Sequence, residues 1–245
     1  MNSIREDFAI LEKFDFTLKP VAISFLSKPP EGIERLETHM TFCQMIKRAQ
    51  EGPPFYADSE NHECEVGPFI LGNQEIPPPF FRGEYGAAHK HFSAPRAMRR
   101  IYEIIPKIAK DVVNCVAFSA FDQMSFEPDV LIFVANSDQT QILLRAMSYT
   151  TGKPYTSKFT GVMGCAWLFI YPYLTGELNY VPANFSAGMK LLKVFPENTL
   201  VTSIPYDLLP MVLKNLQEMP WVLPLHQADG EEFRERLRKD LGIDQ

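Results

Sequence analysis

Residues 127–139 read EPDVLIFVANSDQ, and the change of periodicity inside them decides the fold class. VLIFVA is a continuous apolar run rich in β-branched and aromatic residues, preceded by the turn-forming Pro128 and Asp129. Such a run predicts a strand covered on both faces. At Asn136 the pattern turns helical. Asn136 is a capping residue, Gln139 stands three positions on as its reciprocal partner, and Ile142, Leu143 and Ala146 continue at helical spacing. A strand delivered straight into a capped helix is the grammar of folds that pack helices on a sheet.

Similar signals lie on both sides of this unit. Residues 20–26 (PVAISFL), 112–121 and 199–204 read as further strands. Helices are expected over about 41–50, from 94 with Ser93 as cap, from 137, and from 208 with Asp207 as cap. The expected fold is α/β or mixed α+β, with a central sheet and helices packed on its faces. One compact domain is expected over 1–220, followed at 221–245 by a C-terminal tail tethered around 219–230 (MPWVLPLHQADG) and a charged surface helix, EEFRERLRKDLG. Residues 51–93 hold EGPPFYAD, GPFILGN and EIPPPFFRGEYG. They read as a long Gly-, Pro- and aromatic-rich loop with one short strand at 68–71, and long loops inside compact domains usually carry function.

Composition narrows the class. With 46% hydrophobic residues, 22% charged residues, 19 Phe, 9 Tyr and 2 Trp, the chain is globular rather than disordered. Its net charge of −6 argues against non-specific nucleic-acid binding. Arg96, Arg99 and Arg100 share one helix face and read as a solvated surface. The uncharged run 159–176 is broken by Gly161, Gly164 and Pro172, so it reads as core and not as a membrane span. The N-terminal MNSIREDFAILEKFDF lacks the apolar stretch of a signal peptide, and a cytoplasmic location is expected. Four cysteines in 245 residues are too sparse for a secreted disulfide framework.

Among the thiols, Cys43 opens a predicted helix, where backbone N–H groups and the dipole favour a thiolate. Cys64 lies in the irregular loop, in FYADSENHECEVG. Cys165 follows Gly161 and Gly164, which allow close approach. Cys115 lies within an apolar strand and reads as a small core residue. His62, two before Cys64, could join the thiols at a metal, while His89 and His91 in GAAHKHF read as loop residues. No C-x₂-C pair exists, and dinucleotide, phosphate-loop and nucleophile-elbow templates are absent. A metal-free pocket is the other reading, walled by the loops at 53–57 and 77–92, with Asn136, Ser137 and Asn184 as polar contacts. A third is a partner subunit with exposed Phe80, Phe81 and Tyr85 as interface.

Six segments in order, KPVAISFL with KPPEGIERL, FCQ, FYA…HECEVG, EPDVLIFVAN, FTGVMGCA and PYLTGE, resemble the family called domain of unknown function 169. The resemblance implies that Cys43, Cys64 and Cys165 form a shared site without Cys115. It further implies a cytosolic protein of anaerobic metabolism. Three thiolates can hold an iron–sulfur cluster with one open iron, or a zinc with a fourth ligand such as His62. The family pattern also implies a Cys and an Arg in the stretch VPANFSAGM, where this chain has Ala183 and Ala187. A protein with no cofactor stands equally open, and so does the question of whether it is an enzyme. The expected partners are a small molecule or metallocofactor, with a redox protein or a second copy of the chain open, and neither nucleic acid nor membrane.

Overall fold

The computed structural model describes residues 8–223 and 229–243. The predicted tether lies partly, and His226 wholly, outside these residues, as does the start of the N-terminal charged stretch. Among the described residues seven strands form one sheet: β1 Val21–Leu26, β2 Glu34–Arg35, β3 Phe55–Asp58, β4 Cys115–Ala120, β5 Val130–Ala135, β6 Asn179–Pro182 and β7 Leu200–Pro205. Their order is β2-β3-β4-β1-β5-β7-β6. Of these, β2 and β3 pair parallel; the other neighbours are antiparallel. The helices are α1 Ala9–Glu12, α2 Phe42–Glu51, α3 Val66–Ile70, α4 Pro78–Phe81, α5 Glu84–Ala88, α6 Pro95–Ile104, α7 Ser137–Ser148, α8 Tyr171–Thr175, α9 Ala187–Leu191, α10 Leu209–Glu218 and α11 Gly230–Leu241. The chain is a mixed α/β protein with a single compact core domain.

The four predicted strands are β1, β4, β5 and β7, and the central ones are buried, all but Leu26 at the end of β1, because both sheet faces are covered. On one face, Val21, Ile23, Val116, Phe118, Val130 and Ile132 pack with Phe42, Met45 and Ile46 of α2 and with Phe169. On the other, Ala22, Leu131, Phe133 and Ile204 pack with Leu143 and Met147 of α7 and with Val212 and Leu213 of α10. The capping box at Asn136 forms as its sequence dictates. Its side chain accepts from Gln139 N–H at 2.9 Å, and Gln139 Oε1 accepts from Asn136 N–H at 3.0 Å. Thr41 and Gln44 make the same box at the start of α2. α11 buries no residue.

Several local expectations are corrected. Residues 68–71 belong to α3 and its end, not to a strand; Pro68 sits in the first turn of α3, where proline is tolerated. The stretch 51–93 is not one long loop, since it contains β3 and three short helices. Ser93 does not cap α6. Pro95 forces the residue before it into extended geometry, so Ala94 takes the cap position at φ −153° and ψ 153°. Asp207 lies inside a 3₁₀ turn, Tyr206–Leu208, and Leu208 precedes α10. β4 begins at Cys115. The buried side of α6 is Met98 and Tyr102, whereas Ile104 is exposed.

Candidate functional site

Three segments distant in sequence converge on the α2 side of the sheet. The first is the start of α2, where Phe42 and Cys43 occupy the opening turn. Thr41 Oγ1 lies 3.3 Å from Cys43 Sγ. The second is the stretch after β3. Buried Asn61 donates to Leu36 O at 2.7 Å, its own carbonyl accepts from Met40 N–H at 2.9 Å, and Glu63 N–H donates to Met40 O at 3.0 Å. These bonds zip residues 59–63 along the strip leading into α2, so Cys64 comes to rest beside the helix start. The third is the turn 159–165. Thr160 Oγ1 accepts from Trp167 Nε1 at 2.9 Å and donates to Val162 O at 2.8 Å. Gly164 is pressed so closely against residues 185–189 that a Cβ would stand 2.8 Å from Met189 Cε. Cys165 comes next and leads into a fully buried π-helical turn, Ala166–Ile170.

The three thiols border one cavity of about 370 Å³. A cap of α4, α5, α6 and the turn between the last two walls it on one side and supplies Phe80, Tyr85, His91, Met98 and Tyr102. Gly83 makes the tight joint of the cap: its φ is +81°, and a Cβ there would lie 2.0 Å from Pro95 O. Phe80 stacks on Tyr85 at 4.3 Å and packs against the core, while Phe81 is exposed. Glu63 and Glu65 stand at the rim, and among the described residues no Lys or Arg lines the cavity.

The thiols differ in protonation. The Cys165 thiol donates to Cys43, and Thr41 and the N–H groups of Cys43 and Gln44 add to this, pulling the Cys43 pKa down to about 7. Cys165 is correspondingly the protonated partner, because a proton lost there would set two anions side by side in a buried place. Burial pushes Cys64 up, opposed by the N–H groups of Gly67, Val66 and Phe42 aimed at its sulfur. The starts of α2 and α3 thus present backbone N–H groups to two of the three sulfurs, an arrangement that stabilises thiolates. Among the described residues no three His, Cys, Asp or Glu side chains form a group that could hold a single metal ion as they stand. The Cys43 and Cys165 sulfurs stand in contact with each other, and all three thiols border the same cavity.

The other residues that the sequence offers as site candidates stand elsewhere. Asn136 is spent on its cap, and Ser137 lines a separate hollow of about 420 Å³ along α7, on the opposite sheet face. Asn184, at φ +57°, brackets Phe195 by donating to its carbonyl at 2.7 Å and accepting its N–H at 3.3 Å. Cys115 lies in β4 with its sulfur 3.8 Å from Leu26 O. Ala187 does border the thiol cavity. His62 does not. Its ring stacks near Phe42 at 5.9 Å, and a Cβ on Gly67 would touch its Nδ1 at 2.2 Å.

Both His62 ring nitrogens are enclosed without a hydrogen-bond partner, and burial lowers its pKa to about 4. The unfolded chain protonates His62 near pH 6.5, while the folded one keeps it neutral to about 4. Stability from this group is therefore complete above 6.5 and is lost as pH falls towards 4. Urea unfolding should show the protein about 2 kcal/mol weaker at about pH 5 than at neutrality through this residue. His62→Leu should flatten that portion of the profile. An unchanged slope in the variant would contradict the assignment.

His91, Met98 and Tyr102 border the cavity without a motif of their own. The signal for them in the sequence is the i, i+4 spacing of Met98 and Tyr102, which turns one helix face inward beside the H-x-H pair.

Fold and cavity together define a mixed α/β protein whose one sheet face carries a capped, three-thiol chamber. A family model, domain of unknown function 169, described as "Uncharacterised ArCR", matches residues 9–215. The chain belongs to that family. It is also similar to "Uncharacterized protein MJ0308" of Methanocaldococcus jannaschii, at 25% identity over 218 residues covering 86% of this chain and 93% of that protein. No solved structure matches. Among the described residues no helix is long and apolar enough to cross a membrane.

Proposed function

We propose that the chain is a cysteine-ligated metallocofactor protein, in the first place an iron–sulfur protein, with the cofactor held by Cys43, Cys64 and Cys165. One observation carries this reading: three thiols from three separate segments border a single cavity, with helix-start N–H groups facing two of the sulfurs. Soft thiolates select iron–sulfur clusters or zinc over hard cations. Three thiolates can hold a cluster with one iron left open, or a zinc completed by a fourth ligand. When bound, such a cluster supplies one-electron transfer or an open iron for a ligand. The protein's own part is to hold three thiolates, lend them N–H groups and roof them with an aromatic cap. A redox or accessory role in anaerobic metabolism agrees with this, and a reducing cytoplasm suits four unpaired thiols.

The test is purification without oxygen, then iron and sulfide analysis and a visible spectrum, before and after reconstitution with iron and sulfide. A brown protein with about four irons per chain is the expected result. A colourless protein with less than about one metal per chain would overturn it. The same chamber would then be a metal-free pocket walled by Phe80, Tyr85 and Tyr102.

A further inference from the structure

Among the described residues the cap contributes one imidazole to the thiol cavity, that of His91. Backbone contacts set its place. Lys90 turns the chain at φ +56°, and the N–H groups of His91 and Phe92 both donate to Gly86 O, at 2.9 and 3.3 Å. Gly86 in turn lies so close to Met98 that a Cβ would stand 2.7 Å from its Cγ. The turn that carries His91 is therefore tied to the helix that walls the chamber. The ring stands edge-on to Tyr85 at 6.3 Å and makes no hydrogen bond to another described residue.

The competing donors are less suited. His89 has its Nδ1 2.9 Å from Tyr85 O and does not line the cavity. His62 is shut behind α3. Glu65 is engaged by Gln74 Nε2 at 2.9 Å, and carboxylates such as Glu65 and Glu63 favour harder ions. Burial keeps the Tyr102 phenol protonated. Imidazole is a donor that iron accepts, and among the residues lining the cavity His91 is the one that offers it.

We infer that His91 is the fourth protein ligand of the cofactor held by Cys43, Cys64 and Cys165, binding by a ring nitrogen the iron those three leave open. The inference rests on the three-cysteine reading. It also gives the exposed turn after α5 a role, since it would deliver a ligand from the cavity's outer wall.

The test uses the full chain labelled with ¹⁵N-histidine, reconstituted anaerobically with iron and sulfide and reduced. Pulsed EPR should detect coupling to a histidine nitrogen in the wild type and in His89→Ala, and none in His91→Ala. On mild oxidation His91→Ala should lose roughly one iron of each four-iron cluster, the wild type none. His91→Cys should keep all its iron while losing the nitrogen coupling. A wild-type cluster without histidine coupling, or coupling that survives in His91→Ala, overturns the assignment and leaves the three-cysteine reading standing. If the wild type assembles no cluster at all, that reading fails and this one with it.

Discussion

Changing Cys165 to serine should cut iron retained after anaerobic reconstitution by at least roughly tenfold, and Cys43→Ser and Cys64→Ser should do the same. Cys115→Ser should retain the wild-type amount. The contrast comes from placement. Cys115 packs in β4, away from the cavity, and its loss removes only a weak sulfur contact of 3.8 Å to Leu26 O. The other three border one chamber and arrive from unrelated segments, so no neighbour can substitute for a lost ligand. Serine preserves their size but is a poor ligand for iron at neutral pH, which separates a coordination loss from a packing loss. Loading should also release protons, because Cys165 and Cys64 hold theirs, with pKa values raised, while that of Cys43 is drawn down. Equal iron in Cys115→Ser and Cys165→Ser would sink the three-cysteine site.

How far the sequence reaches is seen by comparing two of its signals. The Asn136–Gln139 box and the run before it concern neighbours a few residues apart, and strand and capped helix form where those signals place them. The path of the chain beyond α7 is not legible in the same way. An α/β signal says nothing about strand direction, and the chain crosses to the other sheet face through a π-helical turn and returns as the antiparallel pair β6 and β7. The chamber divides similarly. A thiol at a helix start and one after two glycines can be recognised locally. That Cys64 is brought beside them depends on Asn61, a buried amide satisfying the carbonyl of Leu36, and no periodicity announces such a bond. Asn136 and Asn184 lie elsewhere because their side chains are engaged by backbone groups, and Ser137 because it opens α7 beside a separate hollow. His91 has the weakest signal, since it lies in the turn between α5 and α6 and is placed by tertiary contact, its N–H donating to Gly86 O, which no periodicity announces.

Phe42→Ala should destabilise the protein by about 3–5 kcal/mol and loosen the chamber at the same time. Phe42 is fully buried and stands immediately before Cys43. Its ring stacks on Phe169 of the π-helical turn at 4.7 Å, meets Phe118 of β4 edge-on at 5.4 Å, and lies 5.9 Å from His62. One side chain thus ties the start of α2, the segment after Cys165, the central sheet and the loop that leads to Cys64. Truncation leaves a hole that none of the four can fill without moving a cysteine, because each is anchored elsewhere. The backbone N–H of Phe42, which faces the Cys64 sulfur, belongs to the same residue and would shift with it. Denaturant unfolding of the cofactor-free protein measures the first effect. The second appears as faster iron loss to a chelator in Phe42→Ala, compared with an equally damaging truncation on the far sheet face, Phe133→Ala, where the core is built against α7 and α10. If both variants lost iron at the same rate per unit of lost stability, Phe42 would be a core residue and nothing more. A selective loss in Phe42→Ala would mean that the aromatic stack under α2 sets the spacing of the thiols.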